Sequence, residues 1–178
     1  VGAVTLAIGQ TVPWNASWSA EERFEIRPCK YAGNRLAVWQ PFKPGEGKPI
    51  FAKPHNVRQR KSIAEMRCTV CGEKTVMGRR WWWPRGQRQG QWWMTTEAPV
   101  HSACADLAIM LCPELRKCGH PPMHFPETHT VLFGLVGGEQ FERDFGISTG
   151  GRDVVGSLKL AWRVGRHTGL PWFLEDAL

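Results

Sequence analysis

The sequence predicts an α+β fold, and three observations carry that expectation. Short segments before residue 57 alternate polar and apolar side chains between turns, and apolar segments of helical length follow at 101–112 and 154–166. Ten Trp against one Tyr, with nineteen Gly and thirteen Pro, make large rings supply much of the burial between many turns. With 178 residues the chain can bury a real core. We divide it into a β-rich N-terminal region, 1–57, a central unit, 58–118, and a loop-rich and helical C-terminal region, 119–178, packed as one compact domain.

Arg23-Phe24-Glu25-Ile26-Arg27 and Arg35-Leu36-Ala37-Val38-Trp39 alternate as half-buried antiparallel strands do, and Tyr31 to Asn34 can turn a hairpin between them. A loop at Pro41–Lys48 precedes a short strand at Pro49–Ala52. Residues 57–66 suit a short basic helix capped by Asn56, with Val57, Ile63 and Met66 turned inward. Two β-prone arms, Met77–Trp83 and Gln91–Thr96, flank the basic, Gly-containing stretch 84–90, which predicts a long-tipped hairpin. His101–Cys112 has the apolar density of a core helix, which Pro113 stops. The stretch 119–153 reads as Gly- and Pro-rich loop with one strand at Val131–Val136, and a last helix is expected over about 154–166.

Four residues carry metal chemistry. Cys68-Thr-Val-Cys71-Gly72 presents two sulfurs to one point, and the glycine relieves crowding at the turn. His101 and Cys104, three apart at the start of a helix, converge on the same side, where the helix dipole favours a thiolate. Three Cys and one His form a tetrahedral zinc set. Knuckle, hairpin and helix in that order make a treble-clef arrangement around one structural Zn2+. Four protein ligands close such a site, so it supports structure rather than catalysis.

Catalytic alternatives find no support in the motifs. The deaminase pattern is missing, and residues 72–100 contain no His such as a treble-clef nuclease would place on its hairpin. P-loop, GxGxxG, GxSxG and HExxH signatures are missing too. A second metal site could be sought among Cys112, Cys118, His120, His124 and His129, but Cys112 falls late on a core helix and Pro121-Pro122 stiffens the chain. Those residues, like Cys29, read as core or loop positions.

Charge is concentrated. The formal net charge is +7, and residues 58–88 alone hold nine basic and two acidic side chains around the CxxC. Arg58, Arg60, Lys61, Arg79, Arg80, Arg85 and Arg88, with Trp82 and Trp93 for stacking, form the expected contact surface for nucleic acid. The alternative partner is a protein, docked through exposed indoles, while about three of the five hairpin Trp rings are expected to fill core. No small-molecule cofactor is indicated. Cysteines spaced for metal rather than disulfides point to a reducing compartment, and with no leader-like segment or apolar run of spanning length the expected location is cytoplasmic.

Pro49-Ile50-Phe51-Ala52, Pro54-His55-Asn56-Val57-Arg58-Gln59-Arg60, Met66-Arg67-Cys68-Thr69-Val70-Cys71-Gly72, Ala98-Pro99-Val100-His101, Cys104-Ala105 and Leu111-Cys112-Pro113 resemble small zinc-binding proteins of actinobacteria and their phages. That group pairs an H-P-x-R-Q-R run with C-x-V-C-G and a helix carrying C-A and C-P. The likeness spans about 45–118. This chain has Asn56 where the group tends to have Pro, and Thr69 where Gln is frequent. The resemblance implies the same four zinc ligands and a role for Arg58-Gln59-Arg60 in fold or partner binding. It allows a phage factor that binds a host or viral protein, and it implies no activity.

Overall fold

A computed structural model describes residues 6–163. Its strands are β1 (Ala16–Trp18), β2 (Glu25–Cys29), β3 (Arg35–Trp39), β4 (Pro49–Pro54), β5 (Trp81–Trp82), β6 (Gln87–Gln89), β7 (Trp92–Thr95), β8 (Met123–His124), β9 (Thr130–Val136) and β10 (Val154–Arg163). Its helices are α1 (Asn56–Ala64), α2 (Ser102–Leu111), α3 (Pro113–Lys117) and α4 (Gly138–Phe145). The fold is α+β. Among the described residues no helix is long and apolar enough to cross a membrane.

The N-terminal hairpin expected from the sequence is present, with its first strand two residues later than Arg23–Arg27, and β1 is an unexpected addition. β2 and β3 form an antiparallel hairpin from Glu25 opposite Trp39 to Cys29 opposite Arg35. Its turn ends at Gly33 and Asn34, both left-handed (φ 61 and 60), a conformation in which Gly and Asn are the least strained residues. β4 pairs with β1 in a separate two-stranded ribbon.

The segment expected as a last helix is instead β10, the longest strand, as far as the described residues extend. β9 lies antiparallel along one edge of β10, while β3 (parallel, Val155 opposite Ala37) and β7 (antiparallel, Leu160 to Arg163 opposite Thr95 to Trp92) share its other edge. The apolar positions of 154–163 fit either period. Leu158, Leu160 and Trp162 alternate with Ser157, Lys159 and Ala161 as a strand requires, and Gly156 disfavours a helix interior by about 1 kcal/mol. Strand partners on both edges decide the matter. At Gly156 a Cβ would come 2.3 Å from Cγ1 of Val136, so only glycine admits β9 this close.

The expected Trp-rich hairpin is also rearranged. Its C-terminal arm folds back on its own tip as β6 and β7, joined at Gly90 (φ 59), with Gln89 opposite Trp92. The N-terminal arm turns away, and β5 pairs with β8 while Trp81 bridges Val100. Trp82, Trp83 and Trp93 are buried, Trp81 is half-buried and Trp92 is exposed. The central core gathers Trp82, Trp93, Phe125 and Trp162 with Ile63 of α1 and Leu158 and Leu160 of β10. Trp82 and Trp162 meet edge to face with centroids 5.0 Å apart, a favoured aromatic geometry.

Two helices stand outside the sequence expectation, α3 just after α2 and α4 within the stretch read as loop. Pro113 does end α2, but as the first residue of α3, a position that suits its fixed φ. α4 is strongly amphipathic, and its Phe141 and Phe145 pack with Phe24, Val38 and Val154.

Candidate metal centre

The knuckle is built by backbone hydrogen bonds: Gly72 N–H donates to the Cys68 carbonyl at 2.8 Å, and Cys68 N–H to the Glu73 carbonyl at 2.8 Å. Gly72 is left-handed at φ 83, and the Trp14 indole lies where a Cβ would stand, 2.7 Å away. Trp14 N–H donates to the Val70 carbonyl at 2.7 Å and Asn15 N–H to that of Thr69 at 3.2 Å, so the N-terminal segment is laid over the knuckle. Trp81 and Val100 exchange two backbone bonds of 2.9 and 2.8 Å just before α2. That bridge brings His101, the N-cap of α2, and Cys104 in its first turn to the knuckle.

One ligand atom from each of Cys68, Cys71, His101 and Cys104 lies within 4.8 Å of all the others, a group that could hold a metal ion. His101 Nδ1 is 3.4 Å from Cys71 Sγ and 3.9 Å from Cys104 Sγ. Its Nε2 lies 3.1 Å from the Lys74 carbonyl, to which it donates, leaving the Nδ1 lone pair facing the sulfurs. The centre is supported by packing of Cys68 with Val70, Trp83, Val100, Ala105 and Leu115. Burial raises the Cys68 thiol, and burial together with the neighbouring Cys68 and Cys71 pushes Cys104 up to about 12. Burial and the neighbouring sulfurs thus disfavour the thiolate at Cys68 and Cys104. A bound dication would reverse that balance and release the protons.

Ligand atoms gather in this way at one place among the described residues. Of the other metal candidates, His124 lies on β8 against Trp81, with ring centroids 4.1 Å apart. His129 stands beside Phe125, and Cys112 packs behind the centre.

Most of the expected contact surface is interior, which corrects the sequence reading. Arg58 is 1 % and Arg60 0 % exposed. Arg58 donates Nη1 and Nη2 to the Glu21 carboxylate at 3.1 and 2.7 Å, and Nη2 also to the Ala16 carbonyl at 2.7 Å. Arg60 donates to the carbonyls of Gly156 (2.9 Å) and Val38 and to Cys29 Sγ at 3.4 Å. Between them Gln59 reaches the carbonyls of Thr96 and Leu158 at 2.7 and 2.8 Å and accepts from Leu158 N–H. Arg80 is tied to Glu127 at 2.8 Å and Thr75 at 3.0 Å, and Trp82 and Trp93 are buried in the core. Arg79 and Arg85 are exposed, while Lys61 and Arg88 are half-buried, Arg88 donating to the Gly90 carbonyl at 2.8 Å. The reason is geometric. α1 packs against β10, β3 and the turn of the β2–β3 hairpin, and Arg58 reaches across to β1, so its polar side chains satisfy buried backbone groups.

α1 is capped by His55 rather than Asn56: His55 Nδ1 accepts from the N–H groups of Val57 and Arg58, both at 3.2 Å, and Nε2 donates to the Pro41 carbonyl at 3.0 Å. Burial, then the Arg58 charge, lower the His55 pKa to about 4, against the raising influence of Pro41 and Glu21. Glu21 is fully buried, and sequence reasoning missed it because its partner lies 37 residues away. Comparison of the chain with family models, curated proteins and solved structures finds no match.

Proposed function

We propose that this chain is a non-catalytic zinc protein of the treble-clef kind, and that its work is to bind nucleic acid. The observation that carries the zinc reading is the closed set of three sulfurs and one imidazole nitrogen within 4.8 Å. Soft sulfur with one imidazole suits Zn2+ in a tetrahedron, and with four protein ligands no position stays open for substrate. The ion would join knuckle to helix and contribute directly to folding.

The nucleic-acid reading rests on the net charge of +7 and on the members of the basic set that reach the surface, Lys61, Arg79, Arg85 and Arg88. A second reading, docking of a protein, is favoured by β9, whose Val131, Leu132, Phe133 and Leu135 are 41–55 % exposed. That strand pairs with β10 on one edge only among the described strands, and such an edge accepts an added strand.

Metal analysis and salt separate these claims. Purified protein should carry one zinc per chain; less than about half an ion would remove the zinc reading. Binding to mixed DNA and RNA oligonucleotides should weaken steeply with salt, with a slope of about −0.7 per phosphate met for single strands. Binding that ignores salt, or none at low salt, leaves the protein-docking reading in its place.

A further inference from the structure

The basic residues of the β2–β3 hairpin, outside the 58–88 cluster, surround two neighbouring cavities. Glu25, Arg27 and Cys29 point to one face of β2, since alternate residues of a strand share a face, and Trp39 opposite Glu25 shares it. The Arg27 guanidinium lies over the Trp39 ring at 3.7 Å. This stacked pair is a wall common to both cavities. On one side a space of about 170 Å³ is bordered by Lys30, Tyr31 and Arg60; on the other a space of about 290 Å³ is bordered by Arg23, Lys43 and Glu25. Four exposed cations, Arg23, Arg27, Lys30 and Lys43, and one carboxylate therefore line the pair, while Arg60 is committed to interior carbonyls. Glu25 binds both Arg23 (3.2 Å) and Arg27 (2.6 Å), and Lys43 binds Glu46 (3.3 Å). These are exposed pairs that a polyanion can replace at little cost.

We propose that this twin cleft holds two successive bases of single-stranded nucleic acid, one on each side of the Arg27–Trp39 stack. The inference rests on the nucleic-acid reading above and adds the N-terminal hairpin to its contact surface. Each cavity falls below the roughly 300–1,000 Å³ of a pocket that encloses a whole ligand, so a strand is taken piecewise. Flat bases stack on aromatic rings and on guanidinium planes, which here are Tyr31, Trp39 and Arg27. Arg23, Lys30 and Lys43, all exposed on the rims, meet the phosphates.

The test is fluorescence anisotropy with short labelled oligothymidylate and oligouridylate, on zinc-loaded protein at low and high salt. Arg23→Ala/Lys30→Ala/Lys43→Ala changes only exposed side chains and should weaken binding at least about tenfold, lowering the salt slope by about 0.7 for each phosphate left unmatched. Arg79→Ala/Arg85→Ala/Arg88→Ala should weaken binding less than the first triple, and Arg116→Ala/Lys117→Ala/Arg143→Ala, exposed cations elsewhere, should leave affinity within about twofold on the same scale. Ultraviolet crosslinking should label the peptide that holds Tyr31 or Trp39. If the second triple variant loses binding and the first keeps it, the cleft is excluded while nucleic-acid binding stands. Absence of oligonucleotide binding at low salt removes both. Free thymidylate binding as tightly as the strand, or polyglutamate competing equally, overturns the two-base span.

Discussion

The Cys3His cluster and helix α1 both bring distant segments together, yet they do it by opposite means. At the centre, four ligand atoms from the knuckle and the start of α2 converge on one point, and their spacing along the chain already implies the convergence. In α1, consecutive polar side chains fan outward. Arg58 reaches Glu21 and Ala16, Gln59 reaches Thr96 and Leu158, and Arg60 reaches Val38 and Gly156. At the first, a dication would take the place of the thiol protons. The second carries its own charge balance only in part, since Glu21 answers Arg58 while Arg60 is met by carbonyl oxygens and a thiol. Basic residues close in sequence therefore need not make a basic surface. A guanidinium with five donors is as well suited to satisfying buried carbonyls as to meeting phosphate.

The contrast can be broken at either end, and the largest effect is expected at the centre. Cys68→Ser, or treatment with a strong chelator, should unfold the region from the knuckle through α2 and free the N-terminal segment that Trp14 lays over it. Apparent zinc-binding free energies of about 10–16 kcal/mol in small zinc modules set the scale. Hydrogen exchange at Trp14, Asn15 and Ala105 reads this out, and unchanged protection after metal removal would refute a structural ion.

Next in size is Glu21→Gln. The carboxylate accepts from Arg58 twice and from the backbone N–H groups of Trp18 and Lys43, both at 2.9 Å. Neutralising it leaves Arg58 charged in the interior, a loss of about 3–5 kcal/mol. Denaturant unfolding should show this as a lower midpoint at unchanged slope. A change below about 0.5 kcal/mol, the range of ordinary surface substitutions, would mean that the pair is not closed in solution.

The smallest expected effect is a pH response from His55. Its folded pKa, about 4, lies below the ordinary 6.5, so the unfolded chain binds the extra proton between those values. Stability contributed by the neutral ring is then fully present above pH 6.5 and is lost as pH falls toward 4, by about 3 kcal/mol in all. His55→Gln should flatten that part of the stability profile. A wild-type curve level from pH 6.5 to 4.5 would contradict the buried neutral cap.

Much of this could be read along the chain. Residues that act on near neighbours are visible in sequence: the CxxCG knuckle, the His101–Cys104 pair, the β2–β3 hairpin with Gly33 and Asn34 at its turn, and α2 up to Pro113. Each rests on local backbone geometry, on the period of apolar side chains, or on a ligand spacing that few other arrangements explain. Helix α4 was hidden because its Phe141 and Phe145 lie among glycines and charges, so composition outweighed the spacing of four that puts both rings on one face.

By itself, then, the amino-acid order determined an α+β chain with a Cys3His centre and a hairpin-forming N-terminal region. Only the tertiary structure decided that 154–163 is a strand, that the Trp-rich arms part and pair elsewhere, and that Arg58 and Arg60 lie inside. The physical reason is the same in all three cases. A segment whose apolar residues satisfy two periods, or whose polar groups can be satisfied by water or by protein, takes its conformation from partners that the sequence holds far away.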